Sequence, residues 1–354
     1  MTRPVDLRSD LVSPPAEAVV QAMVRALAEP PAFGLREDPH QRALERRVAE
    51  LTGHEDALLF PTCTMANQVA IHLHCAAGQA LVAEASSHVL TSEAGGPAAL
   101  SGVMVRSLAG EEGRMGLDEL EAVLAEPPDP LRARAALVVL ENTHNRAGGA
   151  VLPVEYHAAV AELARRYGAA VHLDGARLFN AAVALGCPAS ALGRLATTVA
   201  VSLNKGLAAP IGAVLAGPRA LIERAVEVRQ RFGGGIRPVG FLAAAGLVAL
   251  DAMVERLAED HRIAAGLAQE LAALGLDARA RTNIVLWRLG RSRPDPAAVA
   301  EALAARGVLA LPFGAGRIRF VVHRGVGAAE VARVVAAVRE VLGEGNGTQG
   351  DEQG

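Results

Sequence analysis

The chain has 354 residues and a formal net charge of −3, and 51% of its residues are hydrophobic although only 3% are aromatic. This length exceeds the range of about 250–300 residues in which one hydrophobic core suffices, so two domains are expected. The charges are scattered and form no basic stripe. This pattern argues against nucleic acid or a membrane surface as a partner and favours a small molecule.

The longest apolar run, Val239 to Leu250, falls short of the roughly 18 residues that a membrane helix needs, and predicts a buried helix. The N-terminal residues are acidic at Asp6 and contain no apolar signal core. The three cysteines show no metal-ligand spacing. We therefore expect reduced thiols, no metal site and a cytoplasmic location.

Residues 1–40 predict an N-terminal segment that wraps a surface, because a helical pattern from Ala16 to Leu27 is followed by a Pro-rich loop from Glu29 to Gly34. A second helical pattern extends from His40 to Leu51.

From there to about residue 240, short β-like runs alternate with helical ones. The predicted strands are Ala57–Phe60, Ala80–Ala83, Val103–Leu108, Ala136–Leu140, Ala169–Leu173, Thr197–Leu203 and Ala213–Ala216. The predicted helices between them begin near Thr64, Thr91, Asp118, Val154 and Arg177. This alternation predicts an α/β fold whose large domain, residues 41–254, holds a mostly parallel sheet of these seven strands, covered on both faces.

After a helical stretch at 238–275, a smaller C-terminal α/β domain is expected at residues 255–343. Its predicted elements are a strand at Asn283–Arg288, a helix at Asp295–Ala305, a strand at Arg317–Val322 and a helix at Ala328–Leu342. The remaining residues, 344–354, are polar and Gly-rich, and predict a disordered tail.

Lys205 is the only lysine of the chain, and it follows the β-branched run Thr197–Leu203 in a turn rich in glycine and alanine. A partly desolvated lysine at a strand end favours the neutral, nucleophilic amine that forms a Schiff base. The alternative is a solvated loop lysine that an arginine-rich sequence retained by chance.

Asp174 ends another predicted strand, and the interval from Asp174 to Lys205 accommodates one helix and one strand. Both side chains are therefore expected on neighbouring strands, at the sheet edge where ligands bind. The turn Pro61–Asn67 offers free N–H groups and a helix dipole to a phosphate, and His88 offers a planar ring. An amine, a carboxylate for a pyridinium nitrogen, a phosphate turn and a stacking ring are the parts of a pyridoxal phosphate site.

Each of these features also has an ordinary structural explanation. Asp174 could cap a helix, His88 could be a loop histidine, and Thr64 could be an unremarkable N-terminal helix residue. The functional interpretation depends on their combination.

Seven short motifs lie between residues 6 and 237: Asp6–Asp10, Pro61–Asn67, Glu93–Gly96, Glu141–Asn145, His172–Asn180, Leu203–Leu207 and Gly233–Arg237. Together they resemble the low-specificity L-threonine aldolases, within the β-eliminating lyase-like group of pyridoxal phosphate enzymes, and the resemblance extends from Asp6 to about residue 340. The resemblance implies the aspartate aminotransferase-type fold, fold type I.

The resemblance implies that Lys205 forms the Schiff base with pyridoxal 5'-phosphate and that Asp174 pairs with the pyridinium nitrogen. It places His88 against the cofactor ring, near the β-hydroxyl of the substrate. If His88 is not the base, Glu93 is an alternative. These four residues are the expected catalytic set.

The resemblance also implies that Cys63 and Thr64 hold the phosphate. It assigns the substrate's α-carboxylate to Ser9, Arg177 and Arg319, with Arg177 also contacting the cofactor. Two arginines can bind one carboxylate through paired hydrogen bonds and so orient the Cα–Cβ bond for cleavage.

Arg237, by the same resemblance, contacts the cofactor site of a neighbouring subunit. The family assembles as homotetramers built from dimers that share active sites, so this assembly is expected here.

Four positions depart from the family pattern. Cys63 stands where glycine is usual, Gln230 replaces a lysine, and Phe33 replaces a tyrosine. A histidine common in the family is replaced near Leu131. The departures leave the imine chemistry intact and concern acid–base assistance at Cβ and substrate preference.

The implied activity is cleavage of L-threonine, L-allo-threonine and bulkier β-hydroxy-α-amino acids to glycine and an aldehyde. One alternative keeps the cofactor but eliminates the β-substituent, giving a 2-oxo acid and ammonia. Another is a non-catalytic pyridoxal-binding scaffold, which the retained catalytic side chains disfavour. The sequence does not specify the preferred aldehyde or epimer.

Overall fold

The computed structural model describes residues 3–290, 295–314 and 316–347. The chain divides into two compact units, Pro15–Glu255 and the combination of Met1–Pro14 with Arg256–Gly354. The described N-terminal residues form strand β1 (Val5–Asp6) and a 3₁₀ helix at Asp10–Val12, and belong to the second unit.

The first unit contains eleven helices and nine strands among its residues. The helices are α1 (Glu17–Leu27), α2 (Pro39–Thr52), α3 (Cys63–His74), α4 (His88–Thr91), α5 (Gly96–Ser101), α6 (Leu117–Leu124), α7 (Val154–Tyr167), α8 (Leu178–Leu185), α9 (Ala189–Gly193), α10 (Arg219–Arg231) and α11 (Gly240–Met253). The strands are β2 (Asp56–Phe60), β3 (Ala80–Glu84), β4 (Met104–Leu108), β5 (Gly110–Glu111), β6 (Arg114–Met115), β7 (Ala135–Glu141), β8 (Ala170–Gly175), β9 (Thr198–Ser202) and β10 (Ala213–Gly217).

Seven of these strands form one sheet in the order β2-β10-β9-β8-β7-β3-β4. Only β10 is antiparallel to its neighbours, β2 and β9. A parallel crossover needs about a dozen or more residues, and the segment from Ser202 to Ala213 is too short for one. Strand β10 therefore runs antiparallel to β9. The turn that carries Lys205 therefore joins an antiparallel pair.

The central strands are almost wholly apolar and buried on both faces, as helix-covered parallel strands must be. On one face, α3 and α10 pack on the sheet through small and branched side chains such as Ala66, Val69 and Ile222. Each large apolar side chain buried in this way contributes about 1.5–3 kcal/mol to folding. The site elements are thus anchored to a rigid sheet.

The second unit is a smaller α/β arrangement. Its further elements are β11 (Asp277–Ala280), β12 (Ile284–Arg288), β13 (Val308–Leu309), β14 (Leu311–Pro312), β15 (Arg317–Val321), α12 (Leu257–Ala273), α13 (Pro296–Ala305) and α14 (Ala328–Gly347). An antiparallel sheet has the order β11-β12-β15-β14, and β1 pairs with β13. Trp287 and Phe320 lie in the hydrophobic core of this unit.

The predicted α/β fold with a mostly parallel seven-stranded sheet and a smaller C-terminal α/β unit is confirmed. Three details differ. The helix expected near Thr91 is two short helices, α4 and α5, because Gly95 between them has a positive φ of 71° and Pro97 follows. The helical stretch 238–275 is two helices, α11 and α12. The helices α9 and α10 and the strands β1, β5, β6, β11, β13 and β14 were not predicted.

The N-terminal segment expected at 1–40 divides between the two units. Val5 and Leu7 lie in the core of the second unit, where β1 pairs with β13. Helix α1 belongs to the first unit and places Ala22 and Ala26 against Ala244 of α11. The expected tail 344–354 overlaps α14, which continues to Gly347, and its residues 348–354 lie outside the described residues.

Within the described residues, none of the helices combines the length and the apolar character that crossing a membrane requires.

Candidate active site

Asp174 and Lys205 lie at the same edge of the large sheet. Asp174 is the second-last residue of β8, which pairs in parallel with β9. Lys205 follows the end of β9. The prediction that they stand on neighbouring strands is confirmed. Gly175 permits this close pairing, because a Cβ there would lie 2.8 Å from the carbonyl oxygen of Ala200.

Asp174 is 2% exposed, and each of its carboxylate oxygens accepts a hydrogen bond. Oδ2 accepts from Nδ2 of Asn67 at 2.9 Å, and Oδ1 accepts from the backbone N–H of Ala176 at 3.1 Å. The thiol of Cys63 lies 4.0 Å from Oδ1. A buried carboxylate held by these donors has a fixed orientation, which suits it to a protonated ring nitrogen.

The start of α3 brings backbone donors to this edge. Thr62 caps the helix, its Oγ1 accepting from the N–H of Met65 and its carbonyl accepting from the N–H of Ala66. The N–H groups of Cys63 and Thr64, which precede those two, have no acceptor within the part of the chain that the structure describes. Such N–H groups at the positive end of a helix dipole fit a phosphate.

Cys63 occupies the position where the family pattern has glycine. Burial and the adjacent Asp174 carboxylate raise the pKa of this thiol well above its usual range, although the Lys205 charge opposes them. The thiol is therefore protonated at neutral pH and presents its S–H toward Asp174.

His88 and Glu93 form a hydrogen-bonded pair across the break between α4 and α5. Nδ1 of His88 lies 2.8 Å from Oε1 of Glu93, whose side chain is fully buried. Burial alone would lower the pKa of His88, but the Glu93 hydrogen bond and the charges of Asp174, Glu93 and Glu141 together raise it above its ordinary value. Because Nδ1–H is held by Glu93, Nε2 is the nitrogen left to exchange protons with a ligand.

The backbone of His88 is fixed as well. Its N–H donates to Oε2 of Glu141 at 2.7 Å, and Oε1 of the same carboxylate accepts from the N–H of Asn145 at 2.8 Å. Beneath it, the fully buried His144 places Nε2 3.0 Å from Oε2 of Glu84. Burial opposes protonation of His144, but the hydrogen bond to Glu84 and the charges of Glu141 and Glu84 together raise the pKa of its ring above the ordinary histidine value.

Lys205 is half-buried in a tight turn of small residues. Its carbonyl oxygen accepts from the N–H of Ala208 at 2.8 Å, and Ala208 has a positive φ of 57°. Leu203 and Ala209 close the base of the turn through a 3.0 Å backbone hydrogen bond. The lysine is thus presented from a short, rigid connection.

The remaining site candidates lie in both units. Arg177 precedes α8, is 7% exposed and places Nη1 3.4 Å from Oδ1 of Asn145. In the second unit, Arg319 is on β15 with its guanidinium 4.4 Å from the centre of the Phe313 ring, and Ser9 caps the 3₁₀ helix. Arg319 donates from Nη2 to a backbone carbonyl oxygen at 3.0 Å.

The other positions that depart from the family pattern are in open surroundings. Phe33 is 86% exposed and stacks under the guanidinium of Arg237, 5.6 Å away. Leu131, near the replaced histidine, is 91% exposed. Gln230 lies in the last turn of α10, against Gly235.

Comparison with known proteins agrees with this geometry. The family model described as "Beta-eliminating lyase" matches residues 6–289. The low specificity L-threonine aldolase of Escherichia coli strain K12 is 40% identical over 342 residues, covering 96% of this chain and 99% of that protein. The chain belongs to the beta-eliminating lyase family. It is therefore a lyase that uses pyridoxal 5'-phosphate, as predicted.

Two further comparisons point the same way. Low-specificity L-threonine aldolase 1 of Arabidopsis thaliana is 36% identical over 348 residues, covering 96% of this chain and 97% of that protein. The solved structure of Leishmania major threonine aldolase superposes with a TM-score of 0.83 at 20% identity, covering 96% of this chain and all of that one. The structural match establishes the shared fold.

The residues present fit the cofactor of this family. A primary amine at Lys205, a buried carboxylate at Asp174 and the two available N–H groups at the start of α3 lie at one sheet edge. These are the donor types that an aldehyde, a pyridine nitrogen and a phosphate require.

Four buried residues near the site were not assigned a role from the sequence: Asn67, Gln68, Glu141 and His172. Asn67 and His172 lie in the motifs that carry the family resemblance, but no local pattern reveals their partners. Asn67 contacts residues 26 and 107 positions away, and His172 contacts one 105 positions away. The sequence signal that could have identified these residues is a polar side chain within an otherwise apolar helix or strand, which indicates a specific buried partner.

Proposed function

We propose that this enzyme cleaves L-threonine, L-allo-threonine and related β-hydroxy-α-amino acids to glycine and an aldehyde. The observation that carries the proposal is the His88–Glu93 pair, which offers an oriented proton acceptor beside the buried carboxylate of Asp174. Retro-aldol cleavage requires removal of the β-hydroxyl proton as the Cα–Cβ bond breaks. The pair supplies that base.

Lys205 holds the cofactor covalently, and Asp174 pairs with its ring nitrogen in this proposal. When bound, pyridoxal phosphate withdraws electrons from the substrate's Cα. The N–H groups of Cys63 and Thr64 bind the phosphate at the positive end of α3. The hydrogen bonds from Asn67 and Ala176 hold the Asp174 carboxylate in one orientation.

In this proposal His88 would stack on the cofactor ring and accept the β-hydroxyl proton at Nε2. Glu93 holds Nδ1–H and stabilises the imidazolium that forms, as a buried carboxylate does for a catalytic histidine elsewhere. Glu141 fixes the backbone of His88, so that the ring cannot shift along α4. Glu93 itself makes three hydrogen bonds, which suits it better to orienting His88 than to acting as the base.

By the family resemblance, Arg177, Arg319 and Ser9 bind the substrate's α-carboxylate. The guanidinium groups are planar and matched to a carboxylate. Fixing the carboxylate fixes the rotation about the Cα bonds and orients the bond to be broken.

The first prediction concerns these carboxylate-binding residues. Arg319→Lys keeps the charge but loses the planar fork and the packing on Phe313. We expect KM to rise by roughly 10- to 100-fold, the equivalent of a lost charged hydrogen bond, with kcat and cofactor binding changed far less.

Arg317→Lys is the matched control, because Arg317 is on the same strand and its guanidinium lies 5.6 Å from the same ring. Steady-state kinetics with threonine measure both variants. An unchanged KM for Arg319→Lys would remove Arg319 from the substrate site.

A second prediction follows from the raised pKa of His88. A base must be neutral to accept a proton, and a raised pKa keeps His88 protonated to higher pH. We therefore expect kcat/KM to fall as the pH drops through that raised pKa, above the ordinary histidine value of 6.5. Glu93→Gln removes the negative charge that favours the imidazolium, so its acidic limb should move to lower pH while its maximal rate falls.

The pH profile of kcat/KM for the two enzymes measures this shift. His40, whose Nε2 contacts the exposed carboxylate of Glu29 at 2.9 Å, provides a control pair, and Glu29→Gln should leave the profile unmoved. A limb that stays in place in Glu93→Gln would mean that His88 is not the titrating base.

We further propose a homotetramer assembled from dimers, with Arg237 of each subunit contacting a neighbour's active site. Arg237 and Phe33 are both exposed and stacked on one another, which leaves them available to an interface. A cytoplasmic location accords with the three free cysteines. Sedimentation equilibrium measures the assembly, and a monomer with full activity would contradict it.

Product analysis tests the reaction itself. The purified enzyme, loaded with pyridoxal phosphate, is given threonine, allo-threonine and phenylserine, and the products are quantified by chromatography. We expect glycine and the corresponding aldehyde in equal amounts. A 2-oxo acid and ammonia in place of glycine would show β-elimination instead, and the proposal would fail.

A further inference from the structure

Asn67 connects the two carboxylates of the site through one buried amide. Its Nδ2 lies 2.9 Å from Oε1 of Glu93 and 2.9 Å from Oδ2 of Asp174. The side chain is 1% exposed and projects from the second turn of α3. Carboxylate oxygens only accept hydrogen bonds, so both must receive an N–H from this amide, which fixes its orientation.

The other end of the amide is fixed by a chain of side chains on β8, β9 and α3. Oδ1 of Asn67 lies 3.0 Å from Nε2 of His172, and Nδ1 of His172 lies 2.9 Å from Oγ1 of Thr198. The same Thr198 oxygen lies 2.9 Å from Nε2 of His74. These contacts join the site to the far end of α3 through the interior of the sheet.

The proton positions along this chain follow from the charges. Burial lowers the pKa of His172 to about 3 and that of His74 to about 4, so both rings are neutral. His172 must donate from Nε2 to the amide oxygen, and its Nδ1 therefore accepts from the Thr198 hydroxyl. Thr198 in turn accepts from Nε2–H of His74, so every donor in the chain points toward Asn67.

The side-chain amide of Asn67 also has an electrostatic role. Ligand atoms of His88, Glu93 and Asp174 lie within 4.8 Å of one another, which brings two carboxylates into close range in a buried setting. Two carboxylates at this separation repel one another unless donors offset the repulsion. Asn67 supplies one N–H to each carboxylate and so offsets it.

We propose that Asn67 is a positioning residue that holds the carboxylate of Asp174 for the cofactor ring nitrogen and that of Glu93 for His88. The chain from His74 through Thr198 and His172 keeps its amide turned toward them. This inference rests on the proposed function, because it assigns Asp174 and His88 the roles given there. Cofactor binding and proton transfer are thereby tied to one side chain outside the reacting groups.

Gln68 provides a matched control on the same helix. It is 2% exposed, and its Nε2 donates to Oε2 of Glu93 at 2.6 Å, but among the described residues it makes no hydrogen bond to Asp174. Gln68→Ala therefore disturbs Glu93 alone, whereas Asn67→Ala disturbs both carboxylates. The two variants separate the effect on cofactor affinity from the effect on His88.

Equilibrium dialysis of the full chain against pyridoxal phosphate, after removal of bound cofactor, measures the difference. We expect Asn67→Ala to weaken cofactor binding by about tenfold or more, the loss typical of a hydrogen bond to a buried charge, and Gln68→Ala by less than about threefold. Asn67→Asp keeps the shape of the side chain but cannot donate two N–H groups. It should bind cofactor no better than Asn67→Ala, whereas a purely packing role predicts normal affinity.

Thr198→Val offers an independent measurement if the Asn67 variants do not fold. It removes only the hydroxyl that orients His172. This hydroxyl is three hydrogen bonds away from Asp174, and its loss should still weaken cofactor binding by a few fold. Normal affinity in Thr198→Val, or in a folded Asn67→Asp, would overturn the inference. Failure of the proposed function would give a different result. The unaltered enzyme would then produce no glycine and aldehyde, regardless of how tightly the Asn67 variants bind the cofactor.

Discussion

Lys205→Ala is expected to lower turnover by roughly 10⁴- to 10⁶-fold, the scale of loss seen when a covalent catalyst is removed. Lys205 is the only lysine in the chain, so no other side chain can supply a primary amine. The turn that carries it is short and rigid, and the neighbouring arginines cannot substitute because guanidinium groups remain protonated.

Lys205→Arg is the control for charge. It retains a cation at the same position but has no nucleophilic nitrogen, and should be as inactive as Lys205→Ala. Single-turnover assays with phenylserine, followed by benzaldehyde absorbance, have the range to measure such losses. Near-normal turnover in Lys205→Ala would remove Lys205 from the chemistry.

His88→Phe is expected to lower kcat by about 10²- to 10⁴-fold, the usual contribution of a general base. Phenylalanine keeps a flat ring that can stack on the cofactor, so cofactor affinity should change little. The loss should fall on kcat because the variant lacks Nε2, the nitrogen that the Glu93 hydrogen bond leaves available for proton transfer.

His40→Phe is the corresponding control, since His40 also pairs with a carboxylate but is on the surface of α2. It should retain full activity. If His88→Phe were as active as the unaltered enzyme, the base would have to be another group, with Glu93 the first candidate because it lies within the same cluster.

Much of the fold could be predicted from the sequence because its signals are local. The seven strands of the large sheet are short apolar runs bounded by glycine, proline or polar residues, and each begins and ends within one or two residues of its predicted position. The adjacency of Asp174 and Lys205 followed from the length of the chain between them, which fits one helix and one strand.

The missed elements have different causes. Strand β11, Asp277–Ala280, alternates charged residues with alanine and lacks the β-branched side chains that indicate a strand. Helix α10 does carry apolar residues at helical spacing, Ile222, Ala225 and Val228, and could have been predicted from them. The break between α4 and α5 depends on Gly95 and Pro97, which a search for periodic apolar residues does not weigh.

The residues of the site also fall into those that could be predicted from the sequence and those that could not. Lys205, Asp174 and His88 could be found because each follows a recognisable strand, and the family resemblance supplied their roles. The hydrogen-bond partners that position these side chains could not be found from the sequence. The hydrogen bonds from Asn67 to Glu93 and Asp174 join distant parts of the chain, and only the folded arrangement of helix on sheet brings them together.

The most direct test of the proposed site is to locate the cofactor on the chain. The yellow holoenzyme is reduced with borohydride, unfolded, digested and analysed by mass spectrometry. We expect one phosphopyridoxyl group per chain, attached to the Nζ of Lys205. Release of the cofactor on unfolding, or a phosphopyridoxyl group on the N-terminal amine instead of Lys205, would contradict the assignment of the active site to this edge of the sheet.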